Sequence, residues 1–178
     1  MNCKLKLFLG NCVYASEGEW ISLPMEEEKL KNELARITKK YGEVIISSFE
    51  RVDERLNDMY ISQYEDIEKI NYILQQSIEF IALYMCGDED LDFAESLFES
   101  KKYLFFEGVS DTTELGEAVA RKGLIKGITP NLIDTGYISF DRIGRDFECI
   151  GIRIYNRLGA IGQISDDDFL KWKHIICK

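Results

Sequence analysis

The chain has 178 residues, 46% of them hydrophobic, which is enough for one ordinary domain or two to three very small ones with real cores. With 22 Lys+Arg against 32 Asp+Glu its formal net charge is −10, which disfavours direct nucleic-acid binding and favours basic partners, including surfaces that themselves bind DNA. Only two prolines and no low-complexity tract argue against global disorder, no stretch approaches the ~20 apolar residues of a membrane span, and the lysines in residues 1 to 10 break any apolar leader, so the cytoplasm is the expected address.

In chain order, KLKLFL (4 to 9) alternates like a strand, and EVIISSF (43 to 49) carries a β-branched run that also reads as one. Between them, Pro24 leads into a helix with Leu30, Leu34 and Ile37 at helical spacing, acids at its start and Gly42 at its stop. Ile67, Ile70, Leu74, Ile78, Ile81 and Met85 keep a helical period for some five turns and predict one long helix, followed by a second from about Asp88 to Lys102. Asp111 with Glu114 and Ser165 with Asp168 resemble capping boxes, Ser139 is placed to cap a helix through Phe147, and Ile150–Ile154 alternates like a strand.

The expected fold is therefore α+β, elongated, with three small domains in series: an α+β module over 1–60, an acidic helical segment over 61–107, and an α+β module over 108–178. Acidic against basic residues number 11 and 9, 11 and 3, and 10 and 10 in these spans, so the net charges are −2, −8 and 0. The middle segment carries most of the excess, which uniform solubilisation would not produce.

Catalytic and metal motifs are sparse. His174 is the only histidine, and the five cysteines (Cys3, Cys12, Cys86, Cys149, Cys177) form no C-x-x-C pair and are expected reduced and mostly buried. Gly159-Ala160-Ile161-Gly162 is too short for a phosphate loop. Asp88, Asp90, Asp92 and Glu99 match positions one, three, five and twelve of a calcium loop, but Phe93 stands where that loop needs glycine. No cofactor, metal or catalytic centre is expected. On a continuous helix, Asp88, Asp92, Glu95 and Glu99 share one face opposite Leu91, Ala94, Leu97 and Phe98, a carboxylate stripe with rises of ~6, ~4.5 and ~6 Å, sparser than the ~3.4 Å phosphate repeat of a DNA strand.

Several segments in collinear order resemble the ArdA-type antirestriction proteins. They are Asn11 and Tyr14; Gly18-Glu19-Trp20-Ile21-Ser22-Leu23-Pro24; Ile46-Ser47-Ser48-Phe49-Glu50; Ile61-Ser62-Gln63-Tyr64-Glu65-Asp66-Ile67 with Ile70-Asn71; Glu114-Leu115-Gly116; and Tyr137-Ile138-Ser139-Phe140-Asp141-Arg142-Ile143-Gly144-Arg145-Asp146. Ser48 and Ser139 stand where the family pattern has Asp, and Gln63 where an acid is usual.

The resemblance implies a homodimeric, non-enzymatic DNA mimic of mobile genetic elements, whose acidic surface occupies the DNA site of type I restriction-modification enzymes. Glu65, Asp66, Glu68, Asp88, Asp92, Glu95 and Glu99 are the residues expected to carry that surface. The symmetric contact is expected in 108–178, where charge is balanced and Ile150, Ile152 and Ile154 offer an apolar face. The alternative is an acidic partner-binding or regulatory protein of the same fold without strong antirestriction activity.

Overall fold

The computed structural model describes residues 4–176, which form a mixed α+β structure. The chain divides into two compact units, one ending at Ser77 and the other beginning at Ile78.

The first unit contains β1 (Leu5–Asn11), β2 (Gly18–Leu23), α1 (Glu27–Tyr41), β3 (Val44–Arg51), a 3-10 turn (Glu54–Leu56) and α2 (Ile67–Gln75). Its sheet is antiparallel in the order β2-β1-β3. Alternation in β1 buries Leu5, Leu7 and Leu9 completely, and the register sets Leu7 beside Ile21 and Leu5 beside Leu23 on the same apolar face. Leu30 and Ile37 of α1 are buried with that face. The opposite face turns Lys6, Phe8 and Trp20 outward, with the Phe8 and Trp20 rings 5.4 Å apart.

One buried polar side chain fastens the helices of this unit. Asn71 Oδ1 accepts from the Met25 N–H (2.8 Å) while its Nδ2 donates to the Met25 carbonyl (3.0 Å), and Gln75 Nε2 donates to the same carbonyl. Lys4 Nζ adds a 2.7 Å bond to the Leu74 carbonyl. The start of α1 and the body of α2 are thus held together by satisfied backbone groups, which an apolar residue at 71 would leave unpaired.

The second unit runs α3 (Ile78–Cys86), α4 (Leu91–Ser100), β4 (Tyr103–Glu107), α5 (Thr112–Arg121), α6 (Pro130–Ile133), α7 (Phe140–Cys149), β5 (Arg153–Tyr155), β6 (Gly159–Gln163) and α8 (Asp166–Ile176). Its antiparallel sheet has the order β4-β6-β5. Leu104, Phe106, Leu115, Val119, Phe147, Ile152, Ala160 and Trp172 form the core under it, with the Trp172 indole N–H donating to the Leu124 carbonyl at 3.1 Å. Helices α5 and α7 meet at two glycines: a Cβ on Gly116 would lie 1.9 Å from the Phe140 carbonyl oxygen, and one on Gly144 1.8 Å from that of Thr112.

The structure corrects several expectations. The long helix is two: Gln76 takes an extended ψ of 172°, so α2 ends there and α3 begins at Ile78. The apolar spacing survives the break because each short helix buries its own residues, α3 on almost every side. The acidic segment is accordingly shared, α2 lying in the first unit and α3 and α4 in the second. Counted by unit, acids against bases are 14 to 10 and 18 to 12, or −4 and −6. Strand β2, and β4 and β6 of the second sheet, fall where no strand is expected. Of Ile150–Ile154 only the end is strand, and Ile152 is a core residue at 2% exposure while Ile150 is half exposed, so the three isoleucines do not form one outer face. Cys12 and Cys149 are exposed and Cys86 half-buried, against the expectation of burial; all three are free. Cys3, Cys177 and the side chain of His174 lie outside the described residues.

Candidate interaction surface

In the first unit, the acids singled out by sequence sit at the N-terminus of α2 and have different duties. Asp66 is the N-cap: its Oδ1 accepts from the backbone N–H of Glu68 (2.8 Å) and Lys69 (3.3 Å), satisfying helix donors that lack intrahelical partners. Glu65 is half-buried and paired with Lys69 at 3.3 Å, so its charge is compensated within the chain. Glu68 is exposed on the first turn; the pKa of Lys31 on α1 is raised chiefly by its hydrogen bond to Glu27, with Glu68 adding a smaller through-space share. The exposed Glu26, Glu27 and Glu28 stand at the start of α1, Glu27 in a bridge to Lys31. Acids on a first turn also complement the helix dipole, so position alone does not make them a recognition site.

The same unit contains a charge cluster that the sequence reading passes over. Glu19 on β2 receives Arg36 (2.7 Å) and Lys40 (2.8 Å) from α1, and the Tyr41 hydroxyl donates to it. These donors hold its carboxyl well below the usual range, at about 2. The spacing of Arg36 and Lys40, one turn apart on a helix, was the available signal; their strand partner was not readable. This cluster is internally neutralised and ties helix to sheet.

In the second unit, the carboxylate stripe is shortened. Helix α4 starts at Leu91 with Asp90 as N-cap, its Oδ1 accepting from the Phe93 N–H at 3.1 Å. Asp88 precedes the helix in a left-handed conformation (φ 53°), and its carboxylate is bound by Arg153 at 3.1 Å, so it leaves the stripe. Asp92, Glu95 and Glu99 remain on one face; Asp92 and Glu99 are exposed, Glu95 half-buried, and Ala94 and Leu97 are buried opposite them. The calcium-loop spacing is not realised as a loop, because Asp88 and Asp90 are engaged elsewhere and the backbone from Leu91 to Ser100 is helical.

Three residues of the resemblance segments stand out for another reason. Tyr14, Tyr64 and Tyr137 are 65%, 76% and 91% exposed, on loops rather than elements. Two chain-local hydrogen bonds shape the first of these loops, as Asn11 Oδ1 accepts from the N–H of Val13 and of Tyr14, both at 2.8 Å. A large aromatic side chain left out in water offers rigid, amphipathic contact area to a partner. Ser48 and Gln63 are exposed, as is Ser139, which occupies the N-cap of α7 without a side-chain cap bond. Among the described residues no group of three or more His, Cys, Asp or Glu is arranged to hold a metal ion, and no helix is long and apolar enough to cross a membrane.

The sequence model described as antirestriction protein (ArdA) matches residues 15–155. No curated protein matches the chain.

Proposed function

The chain belongs to the ArdA antirestriction family, whose model covers well over half of it, and from that premise we propose that it inhibits a type I restriction-modification enzyme by filling the DNA-binding site with an acidic surface that imitates DNA. The observation that carries this reading is that, of the acids singled out by sequence, Glu68 in the first unit and Asp92 and Glu99 in the second are exposed and close no salt bridge among the described residues. Asp66 and Glu95 add charge beside them; Glu65 and Asp88 contribute less, because Lys69 and Arg153 occupy them. The exposed tyrosines Tyr14, Tyr64 and Tyr137 supply further contact area. The inhibitor acts without catalytic centre, cofactor or nucleic acid of its own, in the cytoplasm of a cell receiving a mobile genetic element, and as a homodimer. Its symmetric contact is placed in 108–178 by charge balance rather than by the isoleucines.

The test is a purified type I enzyme acting on unmethylated target DNA. Cleavage and methylation should both fall as the protein is added, and excess target DNA should displace it from the enzyme. Tight binding indifferent to competing DNA would refute mimicry. The internal pairing of Glu65 and Asp88 favours, in part, the second reading of an acidic regulatory partner: binding to a protein with no protection of DNA would identify it.

A further inference from the structure

Away from the acidic residues, the second unit holds a pocket of different character. It has a volume of about 250 Å³ and is lined by Glu79, Lys101, Tyr103, Phe105, Lys122 and Ile176. Two helix ends deliver its lysines. Lys101 caps the C-terminus of α4 in a left-handed conformation (φ 57°), with Nζ 3.8 Å from the Phe98 ring centroid and donating to the Tyr103 hydroxyl at 3.3 Å. Lys122 caps the C-terminus of α5, with Nζ 5.1 Å from the Phe106 centroid and a long 3.4 Å bond to the Phe105 carbonyl.

Tyr103 is buried at 3% exposure and hydrogen-bonded to Glu79, and burial pushes its hydroxyl far above the usual range, so it stays protonated. Lys6, Lys31, Lys40, Lys69, Lys102 and Lys171 all find carboxylates. Lys101 and Lys122, like Lys4, Lys29, Lys39 and Lys126, close no salt bridge among the described residues, and they are the two that line this pocket together. With Glu79 counted, the lining has a net charge of +1. Phe105 and Ile176 add apolar wall.

We propose that this pocket binds a small organic carboxylate, its oxygens taken by the Lys101 and Lys122 ammonium groups and its short apolar tail laid against Phe105 and Ile176. The ammonium groups have N–H donors to spare, and a single negative charge neutralises the lining. A dianion would leave one charge uncompensated beside Glu79, and a carboxylate with a few methylenes gains from an apolar wall that phosphate and chloride cannot use.

Butyrate, acetate, phosphate and chloride, titrated at matched ionic strength, supply the test, read from the backbone amide shifts of residues 101 to 105 and 122. Butyrate should give saturable shifts at lower concentration than acetate, and phosphate and chloride should give none that saturate. Lys122→Met should weaken butyrate binding about tenfold, the loss of one charge-assisted contact, with an unchanged melting temperature. Glu79→Gln keeps an acceptor for Tyr103 and should tighten it. Equal shifts with chloride or phosphate, a Lys122→Met variant that binds as wild type, or a Glu79→Gln variant that binds no better would each overturn the assignment.

Discussion

Glu19 shows how much of this structure rests on partners far apart in sequence. Its carboxyl is held at about 2 by Arg36 and Lys40, below the ~4.3 of a free glutamate, so the folded state keeps it charged when the unfolded chain does not. The stabilisation it gives is fully present above the unfolded value and is lost as pH falls through the folded one. Melting temperatures of wild type and Glu19→Gln should differ by a constant amount from neutral pH down to ~5, and the gap should close between ~4.3 and about 2. A gap that stays constant down to pH ~2 would exclude the linkage. Local duties were legible in the sequence: Asp111 caps α5 by accepting from the Glu114 N–H, and Ser165 and Asp168 exchange bonds at the start of α8. Glu114 departs from the expected box by accepting from Ser110 rather than Asp111. Asp88 was not legible, since Arg153 is 65 positions away.

At the level of elements, periodicity located the helices but not their ends. Neither glycine nor proline punctuates the apolar pattern at Gln76-Ser77; the one local signal is Ser77, a residue favoured just before a helix start, and the break falls where the chain divides into two units. Strand β6, GAIGQ, was hidden by its two glycines, which weaken any strand signal, and β4, YLFFE, by an apolar run that fits a buried helix as well as a strand. The crossing of α5 and α7 makes a sharper statement. Alanine normally favours a helix over glycine by about 1 kcal/mol, yet at Gly144 its methyl would meet a backbone oxygen at 1.8 Å. Overpacking of this kind costs about 1–3 kcal/mol, and since backbone cannot rotate away, Gly144→Ala should destabilise the protein toward the upper end of that range. Denaturant unfolding checks it; a variant as stable as wild type would mean that the helices separate freely.

For the molecule as a whole, charge was readable as a total and as a run along the chain, while its division between compact units was not. The −8 of residues 61–107 falls as −2 before the division at Ser77 and −6 after it, so that the second unit holds most of it. Each exposed acid faces water and is worth ~1 kcal/mol or less singly, while the summed field governs encounter and its sensitivity to salt. The variant with Asp92→Asn, Glu95→Gln and Glu99→Gln together should bind the restriction enzyme appreciably more weakly, with a shallower salt dependence and unchanged circular dichroism, whereas each single change should be nearly silent. Superimposable salt curves for the triple variant and wild type would reduce the α4 face to an ordinary solvated one.

The Arg153–Asp88 bridge has one more consequence. An inhibitor of this kind can be strengthened by subtraction: the acid is already in place at the surface, and only its own chain's guanidinium stands between it and an incoming basic side chain. Arg153→Gln adds no carboxylate yet releases one, and should raise the rate of association with the enzyme at low salt, an advantage that fades as salt is added. Arg153→Lys, which keeps a cation beside Asp88, should not. If both substitutions left the association rate at the wild-type value, Asp88 would lie outside the contact, and the potency of the protein would have to be tuned from α4 and α2 alone.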